Sequence, residues 1–178
     1  MADSNITKRS LALSLKKLMS ERPFSKVSIG DICDQCGMNR KSFYYHFKDK
    51  YDLVNWIFEH EFVLQSKHKS YSSSSEAFLD LCSYLKDNRE FYTQAFKIEG
   101  QNSFSEYFTQ YCIKCFAKEL NVKNEINVVK MYHVKMSVVI LKNVVELWIS
   151  DKEDLPANEF CAAFDICLRS MSAIINGK

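Results

Sequence analysis

The segment MNRKSFYYHFKDK, residues 38–50, sets Arg40, Lys41, Lys48 and Lys50 around two adjacent tyrosines, Tyr44 and Tyr45, with His46 beside them. Guanidinium and ammonium groups pair with phosphate and with the acceptor edges of bases, and tyrosine hydroxyls add neutral donors for the same partner. The chemistry this combination suits is capture of a polyanion, not bond making. Charge along the chain agrees. Residues 1–50 hold ten Lys and Arg against five Asp and Glu (+5), and residues 51–178 hold fourteen against seventeen (−3), together the formal +2 of the whole chain. A basic head on an acidic body is expected to bring a nucleic acid to the head alone.

The elements that must position these side chains can be read from caps and periodicity. Leu11, Leu15 and Leu18 fall on one face of an amphipathic helix from Asn5 to Glu21, which Pro23 stops. Ser28 with Asp31 reads as an N-cap followed by an acid in the first turn, and SIGDICDQC makes about two turns before Gly37, which suits a left-handed C-terminal position. Asn39 then caps a helix from Arg40 to about Phe47, and Asp49 caps a fourth that runs to about Ser66 with Leu53, Val54, Ile57, Phe58 and Leu64 as its buried stripe. Helix, glycine turn and basic helix form a helix-turn-helix. On a helical wheel Arg40, Lys41, Tyr44, Tyr45 and Lys48 spread over one face, while Phe43 and Phe47 lie on another that can dock on the first two helices.

Beyond residue 66 the chain reads as a second helical unit. SKHKSYSSSS (66–75) is an exposed connection. Phe78, Leu81, Cys82 and Leu85 mark one helix, and Tyr92, Ala95 and Phe96 mark another that Gly100 closes. Ser103 with Glu106 reads as a capping box for a helix carrying Phe104, Tyr107, Phe108, Tyr111, Cys112, Cys115 and Phe116. Residues 125–149 are apolar on nearly every side, which predicts a helix buried against several partners. Asp154 and Pro156 open a last helix whose Ala162, Ala163, Ser170 and Ala173 are small enough for another helix to approach closely. With only two prolines and four glycines the chain lacks the turn residues of a many-stranded fold. The expected class is all-α: a DNA-binding head over residues 1–48 and an effector-binding and dimerisation body over 49–178, joined by the helix from 49 to about 66. No apolar run reaches a membrane span and MADSNITKRS has no signal-peptide core, so a cytoplasmic protein without a membrane partner is expected.

Other chemistries find less support in the sequence. Two Cys-x-x-Cys pairs, Cys33/Cys36 and Cys112/Cys115, are separated by 75 residues, far beyond the roughly 15 to 20 of a four-cysteine zinc site, so packing thiols are expected in place of a zinc or redox centre. An enzyme could draw on His133 with Glu146, Asn143 or Lys135, but no nucleophile elbow, phosphate loop or His-Glu-x-x-His motif is present. Neither a catalytic residue, a metal nor a cofactor is implied. For an effector, the aromatic walls of Phe104, Tyr107, Phe108 and Tyr111 with Gln101, Asn102 and His133 have the makeup of a small-molecule pocket, or equally of a filled core.

FSKVSIGDICDQCGMNRKSFYYHFKDKYDLV resembles the DNA-binding head of the TetR family of bacterial transcriptional regulators. In that family a second helix with Ile or Leu five residues before a Gly-Val or Gly-Met step leads into a recognition helix. The latter begins with Ser or Thr, then Leu or Phe, then Tyr-x-His-Phe-x-x-Lys. The likeness extends over residues 8–58. It implies Arg40, Lys41, Ser42, Tyr44 and Tyr45 as base or phosphate contacts, His46 and Lys50 as phosphate contacts, and Ser28 as a phosphate contact at a helix N-terminus. Gly30 falls where some relatives place a base-reading side chain. NREFYTQAFKIEGQNSFSEYF (88–108) and KYDLVNWIFE are similar to a subgroup that includes regulators of dihydroxyacetone kinase operons. The expected function is a homodimeric regulator on a near-palindromic double-stranded operator, controlled by an effector that is a small molecule or, as the alternative, a protein partner. Trp56 on the connecting helix is expected to couple effector to operator.

Overall fold

In the computed structural model of the chain, residues 2–119 and 128–175 are described, and all their regular structure is helical. Helix α1 (Ala2–Glu21) begins three residues before the expected Asn5. It buries Leu11, Leu15 and Leu18 as its spacing requires, with Ala12 and Met19 beside them. Its last turn closes with Arg22 N–H donating to the Leu18 carbonyl (3.0 Å). Pro23 then ends it, having no N–H to offer and disfavouring helix in the residue before it. A 3-10 turn, Phe24–Lys26, returns Phe24 to the core. Helices α2 (Ile29–Gln35) and α3 (Arg40–His46) follow.

Helix α4 is one rod in three segments: α-helical Lys50–Phe58, a π-turn Glu59–Val63, and α-helical Leu64–Ser66. The π-turn is not visible in the sequence pattern, and it changes the buried stripe. Its wider winding brings Phe62 and Val63 inward, while Leu64, expected in the core, turns out to solvent. Phe62 stacks on Phe58 at 5.5 Å between ring centroids.

After the exposed stretch that ends at Ser73 come α5 (Ser74–Asp87) and α6 (Arg89–Phe96), then α7 (Phe104–Glu119), α8 (Val128–Ser150) and α9 (Ala157–Ile175). Residues 125–127, expected to begin the α8 helix, lie outside the described residues. The exposed stretch is tethered where Lys69 and the Tyr71 hydroxyl both donate to Asp80. The α7 cap differs from a reciprocal box. Ser103 Oγ accepts from Glu106 N–H (3.3 Å), but the Glu106 carboxylate reaches back to Asn102 N–H (3.1 Å), not to Ser103. Asn102 adopts φ +64°, which presents its amide there. At α9, Pro156 supplies the first carbonyl, accepting from Phe160 N–H (2.9 Å). Asp154 does not cap. It sits at φ +55° and pairs with Lys86 and Arg89 of the α5–α6 corner.

The core centres on Phe58, whose ring meets Phe104, Phe108 and Tyr111 at 5.4–5.8 Å. Next to it a polar chain crosses four elements. Tyr92, fully buried, shares a 2.6 Å hydrogen bond with the Tyr84 hydroxyl. Tyr84 donates to Glu61 of the π-turn (3.0 Å), and Lys16 of α1 donates both to Glu61 (2.7 Å) and to Asn88 (2.8 Å). Burial pushes both tyrosine hydroxyls well above their usual ionisation range, so they remain neutral donors.

Helix α8 departs from expectation. Val134, Val138, Leu141, Val145, Trp148 and Ile149 are buried, but Val129, Tyr132, Met136, Val139, Ile140 and Leu147 form an exposed apolar face. A helix apolar on every side does not have to be buried on every side within one chain. On α9 the small residues Ala162, Ala163, Ser170 and Ala173 are likewise exposed, together with Ile166, Met171 and Ile174. No helix among the described residues is long and apolar enough to cross a membrane.

Candidate nucleic-acid interface

The turn between α2 and α3 is built by local hydrogen bonds. Ser28 and Asp31 form the complete capping box: Ser28 Oγ accepts from Asp31 N–H (3.1 Å), and the Asp31 carboxylate accepts from Ser28 N–H and from its hydroxyl (both 2.8 Å). These bonds, with the nearby Arg22 guanidinium at 3.2 Å, hold the Asp31 carboxyl below its ordinary range. At the other end Met38 N–H donates to the Cys33 carbonyl (2.9 Å) and Gly37 takes φ +67°, a conformation that a Cβ would strain. Asn39 Oδ1 then accepts from the Ser42 N–H (2.8 Å) and hydroxyl (3.2 Å), starting α3.

Packing fixes which face of α3 is free. Phe43 is fully buried and its ring meets Phe47 at 5.7 Å, which in turn meets Trp56 of α4 at 5.7 Å. The opposite face carries Arg40, Lys41, Tyr44 and Tyr45, all exposed, with Tyr45 at 83% and Tyr44 at 59%. None of the ion pairs among the described residues uses Arg40, Lys41 or Lys48. Exposed cations without an internal counter-ion, next to exposed aromatic hydroxyls, form a surface that an external polyanion can neutralise. His46 is half-buried, edge-on to Tyr45 at 4.9 Å.

Two of the expected contacts are differently placed. Ser28 lies at the exposed N-terminus of α2, but its hydroxyl hydrogen is already donated to Asp31. Lys50 is turned inward. Its ammonium donates to the carbonyls of Phe24 (2.8 Å) and Val27 (2.7 Å) and lies 4.2 Å from the Phe24 ring centre. Burial holds it below the ordinary lysine range. It therefore clamps the turn that carries Ser28. Sequence reasoning missed this because its signal, two carbonyls more than twenty residues away, exists only in three dimensions.

The expected effector residues are only partly assembled. Phe104 and Phe108 are buried at the Phe58 hub, Tyr111 packs on it, and the Tyr107 hydroxyl donates to Glu59 of the π-turn. Gln101, Asn102 and His133 are exposed. An open groove of about 790 Å³ lies elsewhere, between α1, the α5–α6 corner and the end of α8. Its cations are engaged, Lys16 with Glu61 and both Lys86 and Arg89 with Asp154. The cysteines among the described residues are free thiols: Cys33 is buried, and Cys36 donates to the Ile32 carbonyl (3.3 Å).

The comparisons with known proteins agree with this architecture. Residues 15–57 match the family of bacterial regulatory proteins, tetR family, and residues 72–169 match the transcriptional regulator C-terminal region. The chain belongs to the TetR family of bacterial regulatory proteins. Among its relatives is the HTH-type dhaKLM operon transcriptional activator DhaS of Lactococcus lactis subsp. lactis (strain IL1403), 31% identical over 109 residues. That alignment covers 61% of this chain and spans 57% of the relative's length. Solved structures with the same fold include the dihydroxyacetone kinase operon activator DhaS (TM-score 0.66, 21% identity, 95% of this chain and 97% of that one). Another is NalD of Pseudomonas aeruginosa, the secondary repressor of the MexAB-OprM multidrug efflux pump (TM-score 0.59, 17% identity, 90% and 92%).

Proposed function

We propose that the protein acts in the cytoplasm as a homodimer that binds a near-palindromic operator through two copies of the α2–α3 unit, with an effector setting its affinity. The observation that carries this reading is the unpaired cationic face of α3, Arg40 and Lys41 beside exposed Tyr44 and Tyr45. In it Arg40 and Lys41 at the start of α3 read base edges. Ser42, Tyr44, Tyr45 and His46 meet phosphate or bases, and Ser28 meets phosphate by exchanging its bond to Asp31. Lys50 acts indirectly, by holding the Phe24–Val27 turn.

A single short recognition helix touches too few bases to select a site, so a second copy is required. The exposed apolar faces of α8 and α9 are the surface for it, and the small residues of α9 allow close helix approach. Two heads would then read half-sites roughly 34–36 Å apart. For the effector, ring-on-ring packing at Phe58 favours a partner protein on the outer surface of the body over a small molecule among Phe104, Phe108 and Tyr111. Sedimentation at micromolar concentration together with a gel-shift series of varied half-site spacing tests the proposal. It predicts a dimer and one preferred spacing, and it fails for a monomer or for binding indifferent to spacing.

A further inference from the structure

Gly30 occupies the first turn of α2, buried, without the positive φ that would call for glycine. Alanine would favour the helix there, so backbone freedom does not explain the residue. Space does. A Cβ built on Gly30 would fall 2.6 Å from Arg40 Nη2 and 3.3 Å from both Cζ and Nε. The Nε–Nη2 edge of the Arg40 guanidinium therefore occupies the space a side chain at Gly30 would fill, and it is Arg40 that covers this glycine. Arg40 has no ion pair among the described residues, so its lateral position is set by a surface of α2 and not by a charge partner.

We infer that Gly30 is a specificity-determining residue. By lacking a side chain it seats the Arg40 guanidinium across the α2–α3 corner, and so sets which base pair the Arg40 fork reads. This rests on the proposed role of Arg40 as a base contact. An arginine fork matches the paired acceptors O6 and N7 of guanine, and discrimination by such a pair depends on the angle at which the fork arrives. A fork held in place before binding also loses less freedom on contact. The clashing atoms are the end of a flexible side chain, so Gly30→Ala moves Arg40 without disturbing the backbone.

The test is site selection from a randomised duplex library by wild type, Gly30→Ala, Arg40→Ala and the double variant, with thermal melting and binding to an unrelated duplex at low salt as controls. Gly30→Ala is expected to melt at or above wild type and to bind unrelated DNA equally well. At the operator positions that Arg40→Ala affects, and only there, it should lose about 5- to 150-fold of base discrimination. The double variant should match Arg40→Ala alone. In DNA-free protein the Arg40 Nε–H resonance should shift and sharpen on Gly30→Ala. Wild-type preference retained by Gly30→Ala, or preference altered at positions that Arg40→Ala leaves untouched, would overturn the inference. A wild type that selects no sequence would remove the DNA-reading role of Arg40 itself, and the inference with it. The Arg40 resonance separates that case, since it reports the contact without DNA.

Discussion

Replacing Lys50 by alanine separates two roles that a basic residue at the edge of a recognition helix can have. The ammonium donates to two carbonyls, Phe24 at 2.8 Å and Val27 at 2.7 Å, over the face of the Phe24 ring at 4.2 Å. A hydrogen bond to a charged group contributes about 1.5–3 kcal/mol net, and a cation over a ring about 0.5–1 kcal/mol at an exposed site. Lys50 is half-buried, so water re-solvates part of what its removal uncovers, and the bonds count at the low end. The expected loss for Lys50→Ala is about 3–4 kcal/mol, a sizeable part of the roughly 5–15 kcal/mol of a typical domain. Lys50→Met, which keeps the stem over Phe24, should recover only the packing part. Urea unfolding read by tryptophan fluorescence gives the stability. The slope of log affinity against log salt gives the number of phosphate contacts, and it should equal that of wild type. If Lys50→Ala is as stable as wild type and its salt slope falls by about one, Lys50 faces phosphate and the clamp is refuted.

Tyr92→Phe should cost about 1 kcal/mol in urea, because the half-buried Tyr84 hydroxyl loses one of its two partners and keeps Glu61, and a Tyr84→Phe/Tyr92→Phe cycle should be non-additive. Asp31 has a folded-state pKa below its usual value, so its contribution to stability is present above about pH 4 and is lost as pH falls through the lower folded value. The melting-temperature difference between wild type and Asp31→Asn should therefore shrink on acidification, and a constant difference would contradict the capping box. Met136→Glu or Leu147→Glu, each placing charge on the exposed apolar face of α8, should convert a dimer into monomers by sedimentation while helix content is kept. Trp56 stacks on His60 of the π-turn at 4.5 Å and meets Phe47 at 5.7 Å, so Trp56→Ala should reduce the effector's influence on operator affinity more than that affinity itself. Equal ratios with and without effector in a folded variant would remove α4 from the coupling.

What could be read in advance follows from how local each cause is. Ser28, Asn39 and Asp49 act within three or four residues of themselves, so their caps, the Gly37 turn and the helix starts at Ile29, Arg40 and Lys50 were all legible in the sequence. The exposed tyrosines follow from the same periodicity once Phe43 and Phe47 are turned inward. The π-turn at Glu59–Val63 has no sequence signature, and it displaced Leu64 from the stripe that simple 3.6-residue periodicity gives it. The α8 helix misled for a different reason. Apolar residues predict burial but not against what, and an apolar face left outside the chain's own core reads like an inner one. Lys50 and the Arg40–Gly30 contact depend on where other elements lie, and residue type alone makes Lys50 one more surface cation.

In the proposed function, two α3 helices related by a two-fold axis read a defined DNA sequence. Sequencing the genomic fragments retained by the purified full-length protein at physiological salt tests it most directly. The expected result is a single enriched near-palindrome with half-site centres about one helical turn apart or slightly more, lost on Arg40→Ala. Retention of fragments without a shared motif, or of a motif without two-fold symmetry, would contradict it.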